Sequence, residues 1–300
     1  AEHDDHDPDS PRGEPSSEFR SLVAEELLAH GFTIEHWHSD GLDYRDPSGE
    51  VGYLGLSNLH RRYTSVEPAL RLEIIRDFLG HVLQSGAHRP DLPKRLNDVV
   101  HRVLVRVGRP FASLEKQPWQ KRLPGTELVL NLVIDHPGYM TYVTAEQLTE
   151  SDQPPGEWLD QAVENLKDRT PADWLEQLHE ESGILSGHLP DSYDAARALI
   201  LSDIVDSAPA GWLVAIPTRD WLFCRPVTPE GLPHFHLLKV LAEKNYAREP
   251  YPISDEVFWI RGHRWQPFPM EIAGDTIRMS PPPGFLEAIG GLNMVDDESD

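Results

Sequence analysis

The chain has 300 residues, 39% hydrophobic and 26% charged, a globular balance that fills one large domain or two ordinary ones. No run approaches the roughly 18 consecutive apolar residues of a membrane span, and a formal net charge of −23 repels phosphate backbones. The expectation is a soluble protein with neither membrane nor nucleic acid as partner. A single cysteine, Cys224, excludes an intramolecular disulfide and points to a cytoplasmic setting.

Residues 1–16 are rich in Asp, His, Pro and Ser and read as a disordered acidic tail. Phe19, Leu22, Val23 and Leu27 follow helical spacing, and Gly31 supplies a stop. Residues 32–38 then read as a strand. Asp46–Pro47–Ser48–Gly49 has the residues of a type I turn, and 51–56 returns as a strand. Thr64 and Glu67 form a capping-box pattern for a helix through about Leu83. Over 99–107 the alternation is clean: Val99, His101, Val103, Val105 and Val107 on one face, Arg102 and Arg106 on the other. A hairpin over 127–144 turns at 136–138, and Thr144 with Gln147 caps a short helix.

Residues 151–156 (SDQPPG) are the expected linker between an N-terminal subdomain, 17–150, and a C-terminal one, 151–272. Residues 273–300 form an extension ending in a second acidic tail. Within the second subdomain, Leu159, Ala162, Val163 and Leu166 define a helix, and Thr170–Pro171 reads as a helix start. A helix over about 194–204, a hairpin over 212–225, a helix around Leu237–Ala242 and a hairpin over 257–268 complete the pattern. Hairpin followed by helix occurs three times, near 32–83, 127–168 and 211–246. That order predicts the α+β class, with antiparallel or mixed sheets in two subdomains.

Phosphate loops, the zincin motif and the hydrolase elbow are all absent; His179–Glu180 begins H-E-x-x-H, but Gly183 stands where the second His belongs. His36 and His38 share one strand face and are a weak metal pair needing a third ligand such as Asp40, Asp43 or His60. Cys224 reads as a small buried hydrophobe. Between Gly86 and Gly125, nine basic residues oppose three acids, a local excess of +6 that balances the acidic remainder or forms an anion-binding or docking face. The most unusual polar cluster is 191–197, DSYDAAR. Helix capping and an Asp194–Arg197 pair explain its residue types. The alternative is a polar site joining Asp191, Tyr193, Asp194 and Arg197 to Asp220 on a hairpin turn and to Asn165 on the preceding helix.

The runs DSYDAARAL (191–199) and GWLVAIPTRDWLFC (211–224) resemble the YtpQ-like family of uncharacterised bacterial proteins. LSNLHRRY (56–63), LVLNLVIDHPGYMTYVT (128–144), Glu164–Asn165–Leu166 and YPISDEVFWI (251–260) agree in order. Ala196 in place of a usual Ser, the acidic N-terminal tail and the stretch 171–190 depart from the pattern. The resemblance implies that Asn165, Asp191, Tyr193, Asp194, Arg197 and Asp220 occupy recurring positions, and it names no reaction. The expected function is binding of an unknown protein or small molecule without catalysis or cofactor. The alternative is an enzyme using Asp191, Asp194 and Asp220, with Mg²⁺ a candidate for that cluster.

Overall fold

A computed structural model of the chain describes residues 15–38, 41–49, 51–87, 95–110, 118–136, 139–189, 191–205, 208–274 and 276–295. The expected acidic tails lie outside the described residues, apart from residues 15 and 16. The chain divides into two compact units, Ala1–Pro90 with Ala247–Pro250 and Asp91–Tyr246 with Tyr251–Asp300. The division falls near residue 90, not at 151–156. Among the described residues, no helix is long and apolar enough to cross a membrane.

The first unit opens with α1 (Ser17–Ala29), whose N-cap Ser16 accepts the Phe19 amide at 3.2 Å. Phe19, Val23 and Leu27 are its buried stripe. Strands β1 (Thr33–Trp37), β2 (Gly41–Arg45) and β3 (Val51–Gly55) form an antiparallel sheet in that order. The turn expected at 46–49 is present: the Gly49 amide donates to the Asp46 carbonyl at 2.9 Å, with Gly49 at φ +90°. Helix α2 (Ser57–Ser65) follows, then a 3₁₀ turn over Pro68–Leu70 and α3 (Arg71–Ala87). The capping box expected at Thr64 and Glu67 is not formed. Pro68 holds Glu67 extended (φ −63°, ψ 146°), so α2 ends first, and Thr64 Oγ1 donates back to the Arg61 carbonyl. Ile75 and Leu79 point inward on α3, and Leu70, just before it, is exposed.

In the second unit, β4 (Val103–Gly108), β5 (Gln120–Arg122), β6 (Val129–His136) and β7 (Tyr139–Tyr142) form an antiparallel sheet in which β6 pairs with the other three. The alternating stretch enters this sheet only at Val103. Residues Leu96–Arg102 form a 3₁₀ segment kinked at Val99. The cause is Asn165, whose Nδ2 donates to the carbonyls of Val100 and Val103, both at 2.8 Å, in place of ladder partners. Helix α4 (Ala145–Thr149) carries the expected capping box of Thr144 and Gln147. Ser151 Oγ donates to the Leu148 carbonyl and accepts from Trp158 Nε1, so 151–156 is tied to both neighbouring helices rather than being a free linker. Helix α5 (Pro155–Arg169) then packs on β4.

Thr170 starts no helix. Its hydroxyl closes α5 on the Leu166 carbonyl, and the chain runs into β8 (Leu175–His179) and β9 (Ile184–Gly187). The helix expected over 194–204 splits into α6 (Asp194–Arg197) and α7 (Leu201–Ile204). Strands β10 (Trp212–Thr218) and β11 (Trp221–Pro226) follow, then α8 (His236–Arg248), β12 (Val257–Arg261) and β13 (Arg264–Pro267). They join the antiparallel sheet β13-β12-β10-β11-β9-β8. Both its faces are buried. Trp212, Val214, Ile216, Cys224 and Phe258 face one core with α5 and α6; Leu213, Ala215, Phe223 and Trp259 face another with α8. Burial on both faces explains why β10 reads as an unbroken apolar run. The expected C-terminal extension contributes a ribbon, β14 (Met270–Ala273) and β15 (Thr276–Met279), and α9 (Phe285–Val295), whose Phe285 is fully buried in the second core. The fold is α+β, and the three expected hairpin–helix successions are all present.

Candidate functional site

The start of α6 abuts the β10–β11 turn, where the Ala195 amide donates to the Arg219 carbonyl at 3.2 Å. This is the juncture at which the sequence suggests a site. Two strained backbones flank it: Ser192 at φ +70° and Tyr251 at φ +57°, rare values for side-chain-bearing residues.

Arg197 organises the α6 start. It is fully buried. One fork engages both oxygens of Asp191, with Nη1 2.9 Å from Oδ1 and Nη2 on Oδ2. Nη1 also reaches Asp194 Oδ1 at 3.2 Å, and Nε donates to Thr170 Oγ1 at 3.1 Å. The Asp194 carboxylate, also fully buried, accepts the Leu189 amide on both oxygens at 3.0 Å. Asp191 accepts the Tyr193 amide at 3.1 Å, so it shapes the helix entry instead of capping the α6 amides. The two acids part in proton affinity. For Asp191, burial works upward, but the hydrogen bonds and charge of Arg197 outweigh it and hold the carboxyl below its ordinary range. For Asp194, burial dominates and raises its pKa to about 6 against the Leu189 bond and the Arg197 charge.

Asp220 stands apart from this pair. Arg219 forks it, Nε to Oδ1 at 2.8 Å and Nη2 to Oδ2 at 3.0 Å. The Arg219 guanidinium also lies 3.5 Å from the centre of the Tyr251 ring, a close cation–π stack. His188 Nδ1 donates to the Asp220 carbonyl at 2.7 Å while its ring stacks flat on Trp221 at 4.0 Å. Asn165 lies elsewhere, as the clamp on Val100 and Val103 already described. The structure therefore joins Asp191, Tyr193, Asp194 and Arg197 to the Asp220 turn through backbone contact, and leaves Asn165 out.

What the sequence does not reveal is the opposite wall. Leu104 and Arg106 share one face of β4, Arg102 ends the 3₁₀ segment just before it, and the β6–β7 register pairs Asp135 with Met140. Tyr193 Oη donates to Asp135 Oδ1 at 3.1 Å, which sets the α6 start against this face. Arg169 Nη1 takes Asp135 Oδ2 at 2.5 Å, and Arg102 Nε donates to the Asp135 carbonyl at 2.8 Å while its Nη2 donates to His136. Arg106, partly buried, donates from Nη1 to Met140 Sδ at 3.0 Å. It is within electrostatic reach of Tyr142, Arg219, Tyr193 and Asp220. Burial, aided by the Arg219 charge, pushes its proton affinity down, while Tyr142, Tyr193 and Asp220 push the other way. Arg106 was legible only as one of nine basic residues, and its alternation with Arg102 was the signal that could have found it.

Other residues of the basic segment that the structure describes have partners elsewhere. Arg109 donates to Tyr246 Oη and Arg122 pairs with Glu127, while Arg89, Lys94 and Lys116 lie outside the described residues. Among the described residues, no three His, Cys, Asp or Glu side chains converge as a metal site. His36 and His38 do share a face, with ring centres 4.8 Å apart. His38 Nε2 meets Asp43 Oδ2 at 2.8 Å, whereas His60 packs edge-on against Phe19 and Asp40 lies outside the described residues. Comparison with protein-family models, with curated proteins and with solved structures finds no match to this chain.

Proposed function

We propose that the protein is a non-enzymatic binding protein, cytoplasmic in keeping with its single cysteine, whose small-molecule ligand sits between the β4–β7 sheet face and the β10–β11 turn. The single observation that carries the reading is Arg106. Its guanidinium is partly buried and within electrostatic reach of Tyr142, Arg219, Tyr193 and Asp220, yet its one hydrogen-bond partner among the described residues is a thioether sulfur, a weak acceptor. The proposed likeness to the YtpQ-like family, carried by residues 191–199 and 211–224, counts Tyr193 and Asp220 among its recurring positions. The carboxylate-enzyme alternative has less support. Asp191 and Asp220 are forked by arginines, and Asp194 is fully buried.

The test is a thermal-shift screen of the full chain and of Arg106→Met against small polar metabolites, neutral and charged. At least one compound should raise the wild-type midpoint by several degrees, as expected for a ligand that binds only the folded state, and should leave Arg106→Met unmoved. A screen in which no compound acts, or in which both proteins respond alike, overturns the reading.

A further inference from the structure

The sequence has four methionines, Met140, Met270, Met279 and Met294, and the structure describes the side chains of the first three. Met270 is buried, while Met140 and Met279 are both partly exposed. Among these three, only Met140 has a cation on its sulfur: Arg106 Nη1 lies 3.0 Å from Sδ. The strand register explains the meeting. Arg106 on β4 stands opposite Asn131, and Met140 on β7 stands opposite Asp135. Asn131 and Asp135 lie on one face of β6, four residues apart, so the two side chains reach each other across that strand. Among the described residues Arg106 forms no other hydrogen bond and no ion pair. Its remaining N–H groups are donors without an acceptor, next to an oxidisable sulfur.

We infer that Met140 is a site of reversible oxidation by hydroperoxides, at which Arg106 assists the oxygen transfer and then holds the sulfoxide. A thioether sulfur has two lone pairs; the contact with Arg106 engages one and leaves the other for attack. That pair bonds to the near oxygen of the peroxide as the O–O bond breaks. The far oxygen leaves with the bonding electrons and takes up the proton of the near one, so thioether and hydrogen peroxide become sulfoxide and water. Sulfur gives up two electrons and the peroxide receives them. Negative charge develops on the leaving oxygen, and a fixed donor beside it lowers the barrier. Arg106 supplies that donor while keeping its own proton. The sulfoxide oxygen is a better acceptor than sulfur and forms a charge-assisted bond with the same guanidinium. Met140 packs against the core of the second unit, where a polar sulfoxide disrupts packing; the bond to Arg106 offsets that disruption. Methionine sulfoxide is returned to methionine by reductases, which makes the modification reversible. This chemistry needs no ligand in the cleft, so it stands or falls apart from the binding reading.

The experiment exposes the folded full chain to hydrogen peroxide with a metal chelator present, quenches at intervals, and follows each methionine by peptide mass spectrometry. In the wild type Met140 should form sulfoxide about tenfold faster than Met279, which is partly exposed but has no arginine on its sulfur, and Met270 should be slowest. Arg106→Gln should slow Met140 several-fold and leave Met279 unchanged. Met270 guards the comparison. Where it reacts faster in the variant than in the wild type, the fold has opened, and Arg106→Lys is read in its place; should that open too, the wild-type rates and midpoint decide. A brief exposure that modifies Met140 alone should leave the wild-type thermal midpoint level or raised. Met140 reacting no faster than Met279, or at the same rate in a folded Arg106 variant, overturns the inference. So does a wild-type midpoint that falls by several degrees once Met140 is oxidised, because Arg106 then does not hold the sulfoxide.

Discussion

Arg197 is the residue on which the α6 start depends, and its role is architectural. It satisfies two carboxylates and a hydroxyl from a position with no exposure to water. Arg197→Met would leave Asp194 charged and buried, and removal of one partner from such a network costs about 3–5 kcal/mol. Urea denaturation should show that loss; a drop below about 1 kcal/mol would count against the network's structural role. The second prediction at this scale concerns pH. Because the folded-state pKa of Asp194 is raised to about 6, the native chain binds a proton more tightly than the unfolded chain between about pH 4 and 6. Stability from this group is therefore present in acid and lost as pH rises through about 6, a swing of about 3 kcal/mol. Asp191 acts oppositely: its stabilisation holds at neutral pH and fades below its ordinary value of 3.8. His60 and His136, both lowered chiefly by burial, lose their contribution as pH falls through 6.5. The share of Asp194 is thus the difference between wild type and Asp194→Asn. Between pH 5 and 7.5 the wild type should lose stability relative to the variant, and parallel curves would refute the assignment.

At the scale of elements, short-range signals were legible and those depending on distant partners were not. The Thr144–Gln147 box needs only its own four residues, and it forms as read. The Thr64–Glu67 box has the same spacing, but Pro68 forbids it. Thr170–Pro171 has a helix-start signature, yet the hydroxyl serves the preceding helix and Arg197. Alternation from Val103 was correct, while Val99–Arg102 bent away because Asn165, 62–65 residues later, supplies a clamp. The candidate site divides in the same way. Its α6 half and its turn half are contiguous runs, whereas Asp135 enters through Tyr193 across 58 residues, with nothing local to mark it. One glycine tests this scale. Gly211, entering β10, has φ +86°, and a Cβ there would stand 2.4 Å from the Ile260 carbonyl oxygen. Gly211→Ala should cost at least about 2 kcal/mol through strained backbone and a displaced β12, read as a lowered unfolding midpoint; an unchanged midpoint would show that β12 yields freely.

Across the whole molecule, charge and burial follow different maps. The net −23 is a property of the surface and the long chain, and charges farther away than about 10 Å are largely screened at 0.1 M salt. The apolar interior is likewise subdivided: one core belongs to the first unit and two lie on opposite faces of the six-stranded sheet in the second. Cys224 sits in the middle of that sheet, on β11 between β9 and β10, with no solvent exposure and a thiol whose ionisation burial strongly opposes. As the chain's sole thiol, it makes the protein its own unfolding clock. A disulfide reagent can modify it only when the sheet separates, so labelling should track the population of opened molecules. In native buffer the reaction should be orders of magnitude slower than in denaturant. A fast phase without denaturant would mean that β11 opens by itself, ahead of the cores on either side of it.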